Sequence, residues 1–196
     1  MRTMTMANEI QPAPHLKEER LRSEEIYHGR ILDITRDTVL LENGTEALRE
    51  VVHHPGGACV VPLTADGCVL MVRQFRYPHH AETLELPAGK LESGEAPLQC
   101  AVRELKEEVG GEAEKLEPLG SLFPTPAYDE EVIYMYLARQ ITETHAQSLD
   151  EDEFLDVVRL PLAEAVQMVM DDRIKDAKTQ IALLKTAFLL QNEQNH

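Results

Sequence analysis

The chain has 196 residues, with 35 acidic against 19 basic side chains and a formal net charge of -16. That length suits one globular domain with a core plus a small extension. That charge opposes non-specific nucleic-acid binding, which needs a basic footprint. Cys59, Cys68 and Cys100 lack CxxC spacing and read as reduced thiols, not as a disulfide framework. Residues 1–10 carry no apolar run of signal-peptide type, and no stretch approaches the roughly 20 apolar residues of a transmembrane helix. A soluble cytoplasmic protein with neither a nucleic-acid nor a membrane partner is therefore expected.

In chain order, residues 1–20 are polar, include Pro12 and Pro14, and predict a loose tail that turns helical near Leu16 to Arg22. Strands are expected at Ile26-Tyr27, Ile31 to Arg36 and Asp37 to Leu41. Asn43-Gly44 then signals a hairpin, with Thr45 to His53 returning. After Pro55-Gly56-Gly57, Asp66-Gly67 joins two apolar runs, Ala58 to Leu63 and Cys68 to Gln74, in a second hairpin. Thr83 to Leu86 reads as a short extended piece ended by Pro87. Leu98, Ala101, Val102 and Leu105 recur at helical spacing, with Pro97 in the first turn and Gly110-Gly111 at the stop. Strands at Leu116 to Phe123 and Glu131 to Arg139 follow, then an acidic loop from Ser148 to Glu153 and a strand from Phe154 to Leu160. Helices from Pro161 to Asp171 and from Ala177 to Gln191 end a mixed α+β pattern.

The stretch from Leu86 to Gly111, LPAGKLESGEAPLQCAVRELKEEVGG, holds the chemistry. Glu104, Glu107 and Glu108 stand at i, i+3 and i+4, so a helix gathers them on one face. Like charges so placed destabilise an isolated helix, and a hard cation with oxygen ligands relieves the repulsion. The ordinary reading of an ELKEE run is a solvated charged face. What shifts the balance is the glycine-containing loop at fixed distance, with a further carboxylate at Glu95.

The spacing Gly89-x5-Glu95-x7-Arg103-Glu104-Leu105-x-Glu107-Glu108-x-Gly110 resembles the Nudix box at every fixed position, Gly111 alone replacing the usual bulky aliphatic. The resemblance implies a Nudix fold, a mixed sheet sandwiched by helices with a small N-terminal antiparallel sheet extension. It implies Mg²⁺, or Mn²⁺, held by Glu104, Glu108, the carbonyl of Ala88 and Glu107 as a further ligand or base. Arg103 is expected to orient Glu107 or its neighbours, and Glu95 to support them. The cation would also bring an anionic substrate to an acidic protein.

Two flanking segments, Val72 to Tyr77 with Glu82 to Gly89, and Phe123-Pro-Thr-Pro-Ala-Tyr-Asp-Glu-Glu131, resemble the ADP-ribose pyrophosphatase branch of that family. With YHGRI, ENG and LREVVHHPG near the N-terminus, the likeness covers about residues 20–190. It implies hydrolysis of ADP-ribose or an ADP-sugar by a homodimer. Residues 1–20 would be a tail, 21–55 a dimerisation and adenine-binding extension, and 56–196 the catalytic domain. Arg49 and Glu50 resemble nucleoside or ribose contacts, Arg76 a phosphate-binding arginine, and Ile31 or else Tyr27 an adenine neighbour. Pro126 falls at the branch's substrate-loop proline, and Glu82 and Glu85 resemble acids near the metal and the terminal ribose. For the general base, Asp150, Glu151, Asp152 and Glu153 occupy the matching loop, and Glu153 is favoured over Glu151. Another nucleoside diphosphate derivative or a nucleoside triphosphate is the competing substrate. A non-catalytic ADP-ribose sensor fits less well, because all three box glutamates are present.

Overall fold

The computed structural model describes residues 16–143, 146–149, 151 and 153–195. The chain divides into two compact units, residues 1–54 with 127–129, and residues 55–126 with 130–196.

In the first unit, β1 (Glu19–His28), β2 (Asp33–Leu40) and β3 (Glu46–His53) form an antiparallel sheet in that order. Of the helical stretch expected near Leu16 to Arg22, only Leu16 is in a helical turn and β1 begins at Glu19, and the two strands expected between Ile31 and Leu41 are one. Every residue of β1 is exposed, so no apolar alternation marks it. It is held by its ladder to β2, from Glu19 opposite Leu40 to His28 opposite Asp33, a non-local pairing that overrides local propensity. The Asn43-Gly44 turn closes the β2–β3 hairpin, with Gly44 at φ 80° and its N–H donating to the Leu41 carbonyl at 2.9 Å.

The second unit is built on a mixed sheet of order β12-β5-β4-β10-β9, with β6 (Ala81–Glu85) beside β5 and β7 (Ala88–Lys90) beside β4. Strands β4 (Gly57–Leu63) and β10 (Ile133–Arg139) run parallel, while β5 (Cys68–Arg76), β9 (Leu116–Leu122) and β12 (Leu155–Pro161) are antiparallel to their neighbours. A short ribbon joins β8 (Gly111–Glu112) to β11 (Thr142–Glu143). All seven residues of β4 are buried, as expected of a strand covered on both faces.

Side-chain alternation sorts the central strands between two cores. Ala58, Val60, Leu70 and Val72 pack with Cys100, Ala101, Leu105 and Val109 of α1 (Pro97–Val109). Cys59, Val61, Leu63, Val69 and Met71 face Ala165 and Val169 of α2 (Leu162–Met170), and Ala182 and Leu183 of α3 (Ala177–Gln194). The result is the α+β sandwich expected, with α1 on one face and α2 and α3 on the other. Among the described residues no helix is long and apolar enough to cross a membrane.

One buried polar cluster ties β5 and β6 to α3. Glu85 is 2% exposed and accepts from Arg76 at 2.8 and 2.7 Å, from Lys178 Nζ at 2.5 Å and from Thr83 at 2.7 Å. Burial pushes the Glu85 carboxyl up, but Arg76 and Lys178 outweigh it and hold it down at about 2. Its folded value lies below the ordinary 4.5. The stabilisation is therefore present above the unfolded value and is lost as pH falls through about 2. Glu85→Gln is expected to cost about 3 kcal/mol near neutral pH by leaving Lys178 short of a partner. It should also flatten the acid limb of a Tm-against-pH curve; an unchanged limb would show that the cluster does not stabilise the fold.

Candidate active site

The loop before α1 is pinned to the sheet. Beyond Pro87, Ala88 and Gly89 pair with Cys59 and Ala58 of β4, the Val60 N–H donates to the Pro87 carbonyl at 3.0 Å, and the buried Leu86 N–H donates to Thr179 Oγ1 at 2.9 Å. The loop closes on itself where the Glu92 N–H donates to Glu95 Oε2 at 3.0 Å. Helix α1 begins at Pro97, with Gln99 Oε1 accepting from the Ala96 N–H at 3.1 Å. It ends where Gly110 enters the left-handed region at φ 64°.

On this frame the acids converge. Glu104 and Glu108 are 7% and 3% exposed, whereas the Glu107 side chain is 38% exposed. Glu108 Oε2 accepts from the Ala88 N–H at 3.0 Å. Gly89 lies so close to Glu104 that a Cβ there would overlap the carboxylate; glycine is needed for that approach. Arg103 spans the group, donating to Glu95 at 3.0 and 3.1 Å, to Glu104 at 2.6 Å, to Glu107 at 3.0 Å and to the Lys90 carbonyl at 3.1 Å. These charge-assisted bonds hold the guanidinium well above its ordinary pKa, Glu95 being the chief cause.

Arg103 does not reach Glu108 in any of these bonds, and the electrostatics show it. Burial pushes the Glu108 carboxyl up to about 8, and the charge of Glu104, and then of Glu153, adds to the shift against the opposing Ala88 N–H. Glu104 is also raised by burial, against Arg103, with Glu107 and Glu153 adding. Two buried carboxylates that repel one another are a costly arrangement, and a divalent cation between them would relieve it. Among the described residues no three acidic, histidine or cysteine side chains close a metal cage by themselves. A small hard ion such as Mg²⁺ does not need one, because it takes one or two carboxylates and fills its sphere with water and substrate oxygens. The donor set fits such an ion.

Residues 53–183 match the NUDIX domain family, and residues 18–52 match the nucleoside diphosphate sugar hydrolase N-terminal domain. The chain belongs to the Nudix hydrolase family. Nudix hydrolases generally need a divalent metal. The chain is 42% identical over 168 residues to a methanol dehydrogenase activator of Bacillus methanolicus, covering 85% of this chain and 91% of that protein. It is 38% identical over 169 residues to an ADP-ribose pyrophosphatase of Bacillus subtilis (strain 168), covering 86% and 91%. A solved structure of an ADP compounds hydrolase superposes with a TM-score of 0.79 at 25% identity, over 90% of this chain and 96% of the other.

Other residues singled out in the Nudix sequence fall into three places. Glu153 lines a cleft of about 420 Å³ with Arg73, Phe75, Glu82, Leu149 and Phe154, and its charge reaches Glu104 and Glu108. Glu151 is exposed, and Asp150 and Asp152 lie outside the described residues. Arg76 and Glu85 meet each other and Lys178; Arg76 also lines a separate cleft of about 720 Å³. Pro126 is exposed in the same unit. Arg49, Glu50, Ile31 and Tyr27 belong to the first unit, where Arg49 is bidentate to Glu18 at 2.9 and 2.5 Å and Ile31 and Tyr27 are exposed. Sequence reasoning missed Lys178, Thr179, Gln147 and Ser148, whose partners lie far off in the chain.

Proposed function

We propose that the protein hydrolyses the pyrophosphate of ADP-ribose, or of a related ADP-sugar, to AMP and ribose 5-phosphate, with Mg²⁺ as the working ion and Mn²⁺ as a substitute. The observation that carries this reading is the burial of Glu104 and Glu108 against the Gly89 loop, with the charge of Glu153 acting on both. The ADP-ribose pyrophosphatase and ADP compounds hydrolase relatives support the substrate class.

Glu104, Glu108, the Ala88 carbonyl and, on the exposed side, Glu107 would hold the ion. Bound there, it supplies neutralisation of the diphosphate charge and easier ionisation of water. Arg103 fixes the rotamers of Glu104 and Glu107 through its fork of donors. Glu153 takes the proton of the attacking water as its oxygen bonds to one phosphorus and the bridging P–O bond breaks, the other phosphate leaving as an anion. Glu107, on the same helix as Glu104 and Glu108, would be the alternative base. Pro126 and Arg76 would contact the substrate from the catalytic domain, 56–196, with Glu85 holding Arg76. Arg49, Glu50 and Ile31 of the N-terminal extension would contact the nucleoside, in a cytoplasmic homodimer.

A panel of ADP-ribose, ADP-glucose, GDP-mannose, NADH, diadenosine polyphosphates and dNTPs, each with Mg²⁺, tests the reading by product chromatography. The expected result is release of AMP and ribose 5-phosphate from ADP-ribose with the highest kcat/KM in the panel. A clear preference for a guanosine sugar or a triphosphate would replace the substrate while leaving the acid helix in its role.

A further inference from the structure

The last turn of an α-helix leaves four carbonyls without partners inside the helix. In α1 these belong to residues 106–109, among them Glu107 and Glu108 of the acid cluster. Gly110 N–H covers the Leu105 and Lys106 carbonyls. The next two are covered by a segment distant in sequence. The Ser148 N–H donates to the Glu107 carbonyl at 2.9 Å, and Gln147 Nε2 donates to the Glu108 carbonyl at 2.7 Å. Gln147 is exposed and stands six residues before Glu153 in the chain.

These bonds join two things that chemistry needs together. One end is the main chain of the helix residues whose carboxylates form the acid cluster. The other is Glu153, which lines the cleft beside Arg73 and Phe154. We propose that Gln147 is a positioning residue. Its amide latches the loop to the C-terminal turn of α1, and so sets how far Glu153 stands from the acids of Glu104 and Glu108. The reasoning rests on the reading of Glu153 as the proton acceptor and extends it to the part that places it. A base misplaced by an ångström loses rate without losing substrate affinity, so the latch should be visible in kcat and not in KM.

The test is a double-mutant cycle on the full chain, measured with ADP-ribose and Mg²⁺. Gln147→Ala should lower kcat roughly three- to tenfold, the equilibrium weight of one hydrogen bond, with KM and the Mg²⁺ concentration for half-activity unchanged. Gln147→Glu, which keeps the shape but loses the donor, should behave alike. Glu153→Gln should lower kcat by about a hundredfold or more, and adding Gln147→Ala to it should change kcat no further, since the latch then positions nothing that reacts. A residue that merely stabilised the helix end would lower activity by the same factor in both backgrounds, and that additivity would overturn the inference. Wild-type kcat in Gln147→Ala beside an impaired Glu153→Gln would overturn it alone. Full activity in Glu153→Gln would overturn the base assignment and the inference with it.

Discussion

Glu108→Gln is expected to lower kcat/KM on the order of a thousandfold while leaving the metal-free protein as stable as the parent, or more so. Glutamine keeps an oxygen to accept the Ala88 N–H, now 3.0 Å from Glu108 Oε2, so the loop can stay on the helix. What it removes is the charge. Near neutral pH that charge is a burden in the absence of a cation, since burial and the neighbouring Glu104 push the Glu108 carboxyl up to about 8. Activity and stability should therefore move apart, a combination that a purely structural glutamate would not give. Steady-state kinetics beside Tm values taken in EDTA make the comparison; a fall in Tm with little change in kcat/KM would assign Glu108 to the fold instead.

The Gly89→Ala enzyme should fold and turn over about a hundredfold more slowly, because a shift of about an ångström in a reacting group is enough for that. The new methyl group would overlap the Glu104 carboxylate, and the three nearest atoms to it all belong to that carboxyl group. The nearest obstacle is the far end of a side chain, so Glu104 yields and the β4–β7 pairing stays intact. Arg103, bound to Glu104 at 2.6 Å, would be drawn along and its grip on Glu107 loosened. The expected signature is a higher divalent-ion concentration for half-activity with Tm nearly unchanged. Normal metal dependence in this variant would mean that Glu104 is not where the ion sits.

Much of the fold was legible because its signals are local. Asn43-Gly44 and Asp66-Gly67 mark hairpins through turn chemistry alone, and Leu98, Ala101, Val102 and Leu105 with Gly110 bound the acid helix to within a residue or two. Strand β1 was legible only at Ile26-Tyr27, and β7 not at all. The first is rich in charge and has no buried face, and the second has three residues after a proline; both exist because of partners elsewhere in the chain. The site divides the same way. Spacing alone gathers Glu104, Glu107 and Glu108 on one helix face. Spacing could not show that Lys178 would reach Glu85 across 93 positions, or that Gln147 would cap the turn carrying Glu108. Burial also separates three glutamates that look equivalent in sequence: two are enclosed, and Glu107, bonded to Arg103, is only half-buried.

The most direct measurement is anomalous scattering from crystals grown with Mn²⁺ and a non-hydrolysable ADP-ribose analogue. A manganese peak coordinated by the Glu104 and Glu108 carboxylates, with the diphosphate beside it, is the expected result. Density showing those two side chains turned apart, with the ion bound elsewhere or not at all, would contradict it.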